Sequence, residues 1–205
     1  RTPPAELPFA HHDDLAALLD HLGLERVSLV GCSMGSKTAL DFALQHPQRV
    51  ERLVLTSPAV SGFAFDGPRP PQAAELDAAD EAGDLERVNE LEMQIWIDGR
   101  SRTPDQVDPR VRALAAEMNA LALANEGVGE EQPAQSPAFG RLAELRAPLL
   151  VVVGELDVAR TLAAAEMLTA EVPDACYAVI PAATHLPNME QPELYNRLVA
   201  DFLLE

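Results

Sequence analysis

Ser33 stands at the centre of Gly31-Cys32-Ser33-Met34-Gly35, a G-x-S-x-G pentapeptide between a β-branched run and a helix-periodic one. Glycines on both sides permit a turn so tight that the serine hydroxyl is pushed out at a strand-to-helix junction. A hydroxyl there is a weak nucleophile until a base takes its proton. Of the five histidines, His21 and His46 fall at expected helix ends, and His11 and His12 precede a helix. His185 alone follows a strand, in Ala182-Ala183-Thr184-His185-Leu186-Pro187. Asp157 closes Gly154-Glu155-Leu156-Asp157, just past another strand, where it would hold the His185 tautomer and stabilise its imidazolium. Glu155 is the rival acid. The expected roles are Ser33 as nucleophile, His185 as general base and Asp157 as orienting acid. The backbone N–H of Met34 faces a developing oxyanion. The competing reading is a Gly-rich turn with an inert serine and a structural histidine. Placement of all three just past strand ends favours chemistry, because open α/β sheets collect functional groups along that edge.

The elements that carry these residues are legible in the hydrophobic pattern. Leu15, Leu18, Leu19 and Leu22 recur at helical spacing over His12–Leu22, and Gly23 ends the run. A strand over Val27–Val30, a helix over Met34–Gln45 and a strand over Val50–Thr56 follow with short connections. That strand–helix–strand unit signals a parallel α/β sheet. Past Ser57-Pro58 the chain becomes loop, then Ala-, Leu- and Glu-rich and helical from Ala74 to Asn125. One expected face there holds Leu85, Val88, Leu91, Ile95 and Trp96, and another holds Val111, Leu114, Met118 and Leu121. The rhythm resumes with strands over Leu149–Val153 and Ala175–Ile180, a helix over Arg160–Glu171 and a last helix opened by Pro192. The expected organisation is a first core part with the nucleophile turn (1–60), a helical cap insertion (61–140) and a second core part with the acid and histidine loops (141–205). Trp96, Met93, Met118 and Phe63 are candidates to line a pocket beneath the cap, and packing of cap on sheet is the equal alternative. Arg100, Arg102 and Arg160 are the few bases near the expected site, open to a substrate carboxylate or to solvent.

The chain has 205 residues with 33 acids against 15 bases, a net charge of −18. A surface this acidic repels nucleic acid and anionic lipid, so neither is an expected partner. No apolar run reaches the roughly 18 residues that span a bilayer. Cys32 and Cys176 form no disulfide framework or metal spacing, and both lie in apolar runs. They read as buried, reduced thiols of a cytoplasmic protein. Cys32, beside Ser33, is expected to point away from the site.

Val27 to Gly35, His46-Pro47 with Arg49-Val50, Gly154 to Asp157, and Thr184 to Asn188 with Glu190 and Pro192 together resemble the α/β-hydrolase superfamily, among its small serine esterases and enol-lactone hydrolases. The likeness spans nearly the whole chain. It implies an α/β-hydrolase fold, a mostly parallel sheet flanked by helices with a helical cap. It also implies hydrolysis of a small carboxylic ester or lactone through an acyl-Ser33 intermediate, without metal or organic cofactor. The alternatives are carbon–carbon hydrolysis or acyl transfer on the same triad, and a non-catalytic ligand-binding protein. Such enzymes carry several strands before the serine turn and a His-Gly type loop that supplies a second oxyanion donor. The residues before Ser33 hold no such motif, and Ser36 stands where a further glycine is common. The expectation that follows is an absent N-terminal part, with that fragment or a second copy of the chain as partner.

Overall fold

The computed structural model describes residues 8–125 and 129–205, so most of the proline-rich start read from the sequence lies outside it. Helix α1 (His11–His21) leads into strand β1 (Val27–Cys32), helix α2 (Met34–Gln45) and strand β2 (Val50–Thr56). The cap follows, with α3 (Ala73–Glu81), α4 (Leu85–Met93) and α5 (Pro109–Leu123). The core then resumes with β3 (Leu149–Gly154), α6 (Ala159–Glu171), β4 (Ala175–Ile180), the single turn α7 (Pro187–Glu190) and α8 (Pro192–Leu204). Among the described residues, β1 to β4 form one parallel sheet in chain order.

Alternation along the inner strands explains how one sheet supports two cores. Leu53 and Leu55 of β2, with Leu149, Val151 and Val153 of β3, pack against α1, α2 and α6. Val54, Leu150 and Val152 point the other way, onto Tyr195 and Phe202 of α8. The register sets Cys32 beside Thr56, Thr56 beside Val152 and Gly154 beside Ile180. The chain segments carrying Ser33, Asp157 and His185 therefore leave the sheet at one edge.

Two packing expectations are corrected. Cys176 is exposed, because β4 is an edge strand whose side chains are only partly covered. The Leu114, Met118 and Leu121 stripe of α5 faces outward, with Met118 56% exposed. The inward face of α5 is instead small and polar. Ala115 is buried, Ala116 accepts from Asn89 Nδ2 at 3.1 Å, Asn119 donates to Asn89 and Glu92, and Arg112 reaches Asp98 and Glu90. Hydrophobic spacing marks the side of a helix that differs from its opposite, and cannot see that polar pairing on the other face holds the contact.

Candidate active site

Ser33 sits between β1 and α2 with φ +52° and ψ −114°, a backbone conformation L-residues rarely hold. The turn closes only because Gly31 has no side chain. A Cβ there would collide with the carbonyl of Gly35. Ser33 N–H donates to Thr56 O at 3.0 Å. Ser36 Oγ donates to Ser33 O at 2.6 Å and accepts from Ala59 N–H at 2.9 Å, which braces the turn against the segment after β2. The sequence marks Ser36 only as standing where a further glycine is common, and this brace carries no sign in it. The N–H of Met34 opens α2 and is one of those a helix cannot pair internally.

The acid and histidine loops meet because Gly154 lets them. A Cβ on Gly154 would collide with the carbonyls of Ala183 and Thr184. Leu156 N–H donates to Ala183 O at 2.9 Å. Asp157 is 1% exposed, and His185 Nδ1 lies 3.1 Å from each of its carboxylate oxygens. Val158 N–H donates to Asp157 Oδ1 at 2.7 Å and fixes the carboxylate plane. The rival acid, Glu155, is committed elsewhere, accepting Ala182 N–H at 3.0 Å. Among the described residues, neither Ser33 Oγ nor His185 Nε2 has a hydrogen-bond partner, so both are open to a ligand. The Cys32 thiol lies 3.9 Å from His185 O and is pushed up to about 12 by burial and by the negative charge of Asp157. It stays protonated at neutral pH and offers no competing nucleophile.

Two cap features hold His185. A five-residue π turn, Gln94–Asp98, continues α4 and ends at Gly99, φ +74°. It presents Trp96 O to His185 N–H at 3.2 Å and lays the Trp96 ring against the imidazole, centroids 4.5 Å apart. The second is a largely buried ion pair. Arg102 Nη2 lies 2.7 Å from Glu190 Oε2. The same guanidinium donates to Asp98 O, Ala182 O and Ile97 O, while Glu190 Oε1 accepts from Thr184 N–H at 2.7 Å and Thr184 Oγ1 at 2.6 Å. Arg102 is thus neither solvated nor free for substrate, and it ties the histidine loop to the cap.

A cavity of about 770 Å³ opens between cap and core. Phe63 and Trp96 line it, and Met118 does not, since it sits on the outer side of α5. Trp96 forms a wall shared by this cavity and the imidazole of His185. Val158, next to Asp157, lines it as well.

A model of the alpha/beta hydrolase fold family matches residues 1–192. The chain is 33% identical over 191 residues to a 2-hydroxy-6-oxononadienedioate/2-hydroxy-6-oxononatrienedioate hydrolase 2 of Pseudomonas putida, covering 92% of this chain and 66% of that protein. It is 30% identical over 190 residues to a 2-hydroxy-6-oxo-6-phenylhexa-2,4-dienoate hydrolase of Burkholderia cepacia, covering 91% and 65%. The chain thus spans about two thirds of the length of these relatives. Among solved structures, a thermophilic esterase from Thermogutta terrifontis superposes with TM-score 0.72 at 27% identity, covering 99% of this chain and 74% of the esterase. The expected ester or lactone activity is corrected by the curated relatives. An acid of the 2-hydroxy-6-oxo dienoate type contains neither bond, and its hydrolase breaks a carbon–carbon bond beside the ketone. Parallel sheet, strained serine turn and a family match across residues 1–192 lead to one conclusion: the chain belongs to the alpha/beta hydrolase fold family.

Proposed function

We propose that this protein hydrolyses the carbon–carbon bond beside the ketone of a 2-hydroxy-6-oxo dienoate, with Ser33, His185 and Asp157 acting as one triad. The observation that carries this reading is the Asp157–His185 pair at 3.1 Å, on the sheet edge that bears the Ser33 turn, in a chain 33% identical to a hydrolase of such acids. Once the dienol has shifted to its keto form, the bond to be broken joins the ketone carbon to a carbon whose electron pair spreads into the distant carbonyl system. That delocalisation makes carbon a tolerable leaving group. Ser33 Oγ adds to the ketone while His185 Nε2 takes the hydroxyl proton, and the new alkoxide accepts from Met34 N–H. Collapse breaks the carbon–carbon bond, and the departing dienolate takes the proton back from His185. Water, activated by the same imidazole, then frees the acyl group from Ser33. Asp157 holds Nδ1–H throughout and stabilises the transient imidazolium.

The test follows loss of the dienol absorbance of 2-hydroxy-6-oxo-6-phenylhexa-2,4-dienoate, with benzoate and the hydroxydienoate identified as products. Turnover by the wild-type chain, reduced about 10³-fold or more in Ser33→Ala, is the expected result. A folded chain without turnover, or a Ser33→Ala variant as fast as wild type, would overturn the assignment.

A further inference from the structure

The π turn Gln94–Asp98, which lays Trp96 against His185, is gripped at both ends by one arginine of a neighbouring cap helix. Arg112 lies in the first turn of α5. Its Nε donates to Asp98 Oδ1 at 2.9 Å and its Nη2 to Asp98 Oδ2 at 3.1 Å, a bidentate fork on the last residue of the turn. The same Nη2 donates to Glu90 Oε1 at 2.8 Å, an oxygen that also accepts from Gln94 Nε2, on the first residue of the turn, at 3.0 Å. Asp98 is 2% exposed, and its carbonyl accepts at 3.0 Å from Arg102 Nε, of the guanidinium that pairs with Glu190. Beyond Asp98 the chain has no slack, because a Cβ on Gly99 would press on the methyl of Thr184, the residue before His185. Ala115 of α5 packs with Met93 and Ile97 in a cluster that Trp96 and Leu186 join, so α5, the π turn and the histidine loop share one packed contact. Neither Asp98 nor Arg112 takes part in the chemical steps of the triad. Stability alone is a weak reason for such a pair, because an enclosed ion pair is often no better than apolar residues of equal volume.

We propose that Asp98 and Arg112 are positioning residues for His185: their pair makes the seating of α5 set the alignment of the general base, through Trp96. The physical reason is directional. A fork of two N–H···O bonds holds guanidinium and carboxylate in one plane, so Asp98 cannot turn without losing a bond. Asp98 closes a five-residue turn whose third residue is Trp96. Trp96 then holds His185 twice, by its carbonyl, 3.2 Å from His185 N, and by its ring, centroids 4.5 Å apart. Asp157 fixes Nδ1, so the imidazole is clamped between a carboxylate of the core and a ring of the cap. A shift of α5 therefore reaches the imidazole through Arg112, Asp98 and Trp96 in turn. Rate follows alignment steeply, since a misplacement of about 1 Å can cost about 10²-fold. The consequence for rate rests on the function proposed above, and the alignment of Trp96 on His185 does not.

The experiment pairs a spectroscopic readout with kinetics on the full chain. Trp96 is the sole tryptophan. An imidazolium in contact with an indole quenches its emission, so a pH titration of that emission reports the Trp96–His185 contact without turnover. The titratable groups that meet His185 are Asp157 at Nδ1 and the Cys32 thiol at its carbonyl, and the step is assigned to His185 by its absence from His185→Gln. The double variant Asp98→Asn with Arg112→Met removes both partners of the enclosed pair and leaves only the half-exposed Glu90 to solvent, so it is the variant expected to stay folded. Asp98→Asn alone, nearly isosteric, is the second variant. Val88→Ala, in a separate cluster joining α3, α4 and α5, is the control that loosens the cap. The double variant and Asp98→Asn should each lose at least about half of the emission step. In both, kcat for 2-hydroxy-6-oxo-6-phenylhexa-2,4-dienoate should fall about 10-fold, with KM changed less than about threefold. Val88→Ala should melt lower and keep the step. A wild-type chain without a His185-dependent step, a double variant that keeps it in full, or a Val88→Ala variant that loses as much of it would overturn the inference. So would a double variant that loses the step and turns over at the wild-type rate. A wild-type chain whose step is lost in the double variant, but which cleaves no dienoate, overturns the hydrolase assignment and upholds the positioning of His185.

Discussion

At the residue scale, the backbone of Ser33 is the feature that sets it apart. A non-glycine residue at φ +52° is strained, and the turn around it is held by Gly31, Ser36 and the Ser33–Thr56 hydrogen bond. Residue type and chain order single out Ser33, Asp157 and His185 in the sequence, and in the structure His185 Nδ1 meets Asp157 at 3.1 Å. Asp157 was separable from Glu155 by its extra reach beyond the strand, and the structure gives Glu155 a different task, at Ala182 N–H. Cys176 was illegible because an apolar run does not say whether its strand lies inside the sheet or at its edge. Asp41 was overlooked as a helical polar residue. It is 3% exposed, accepts from Ser61 Oγ, and has its carboxyl raised above the ordinary range, first by burial, with Ser61, Lys37, His12 and Arg141 offsetting part of the effect. Between the unfolded value, about 3.9, and the raised folded value, the native state binds the extra proton. The stability from this group is therefore complete below the unfolded value and lost as pH rises through the folded one. Asp41→Asn keeps the acceptor for Ser61 and removes the buried charge. It should melt above wild type at pH 8, and the gap should close toward pH 4 as the native carboxyl protonates. A difference that does not vary with pH would contradict this.

Among the elements, the π turn Gln94–Asp98 and the histidine loop behave as one unit. Trp96 O, the Arg102–Glu190 pair and Thr184 join them, and Thr184 Oγ1 lies 3.0 Å from Ile97 O. Wide turns of this kind occur where a side chain must be re-aimed at a functional site, here Trp96 against His185. The cap's helices were visible as spacing, yet which side of α5 packs inward was not, because its contact is built from Ala115, Ala116, Asn119 and Arg112. Arg102 was equally hidden: an arginine in a loop carries no sign in sequence that it will meet Glu190 across 88 positions. Arg102→Ala should lower kcat about 10- to 100-fold through misplacement of His185. The KM should change less than about threefold, because the reacting groups remain and only their alignment is lost. Breaking this largely buried pair should also lower stability, readable by denaturant unfolding. Activity loss confined to KM would show that Arg102 contacts substrate and does not position His185.

At the scale of the whole molecule, the parallel sheet was legible from the strand–helix rhythm, since β3 runs apolar and buried on both faces, as does Leu53–Leu55 of β2. Which bond is proposed for cleavage was not legible. A serine, a histidine and an acid can serve ester and carbon–carbon hydrolysis alike, so residue types do not separate the two. The direct measurement is a comparison on the wild-type chain of kcat/KM for 2-hydroxy-6-oxo-6-phenylhexa-2,4-dienoate and for phenyl and lactone esters of similar size. Carbon–carbon cleavage at least about tenfold above ester hydrolysis, both lost in Ser33→Ala, is the predicted result. Ester or lactone hydrolysis exceeding it by the same margin, or no carbon–carbon cleavage from a folded chain, would contradict it.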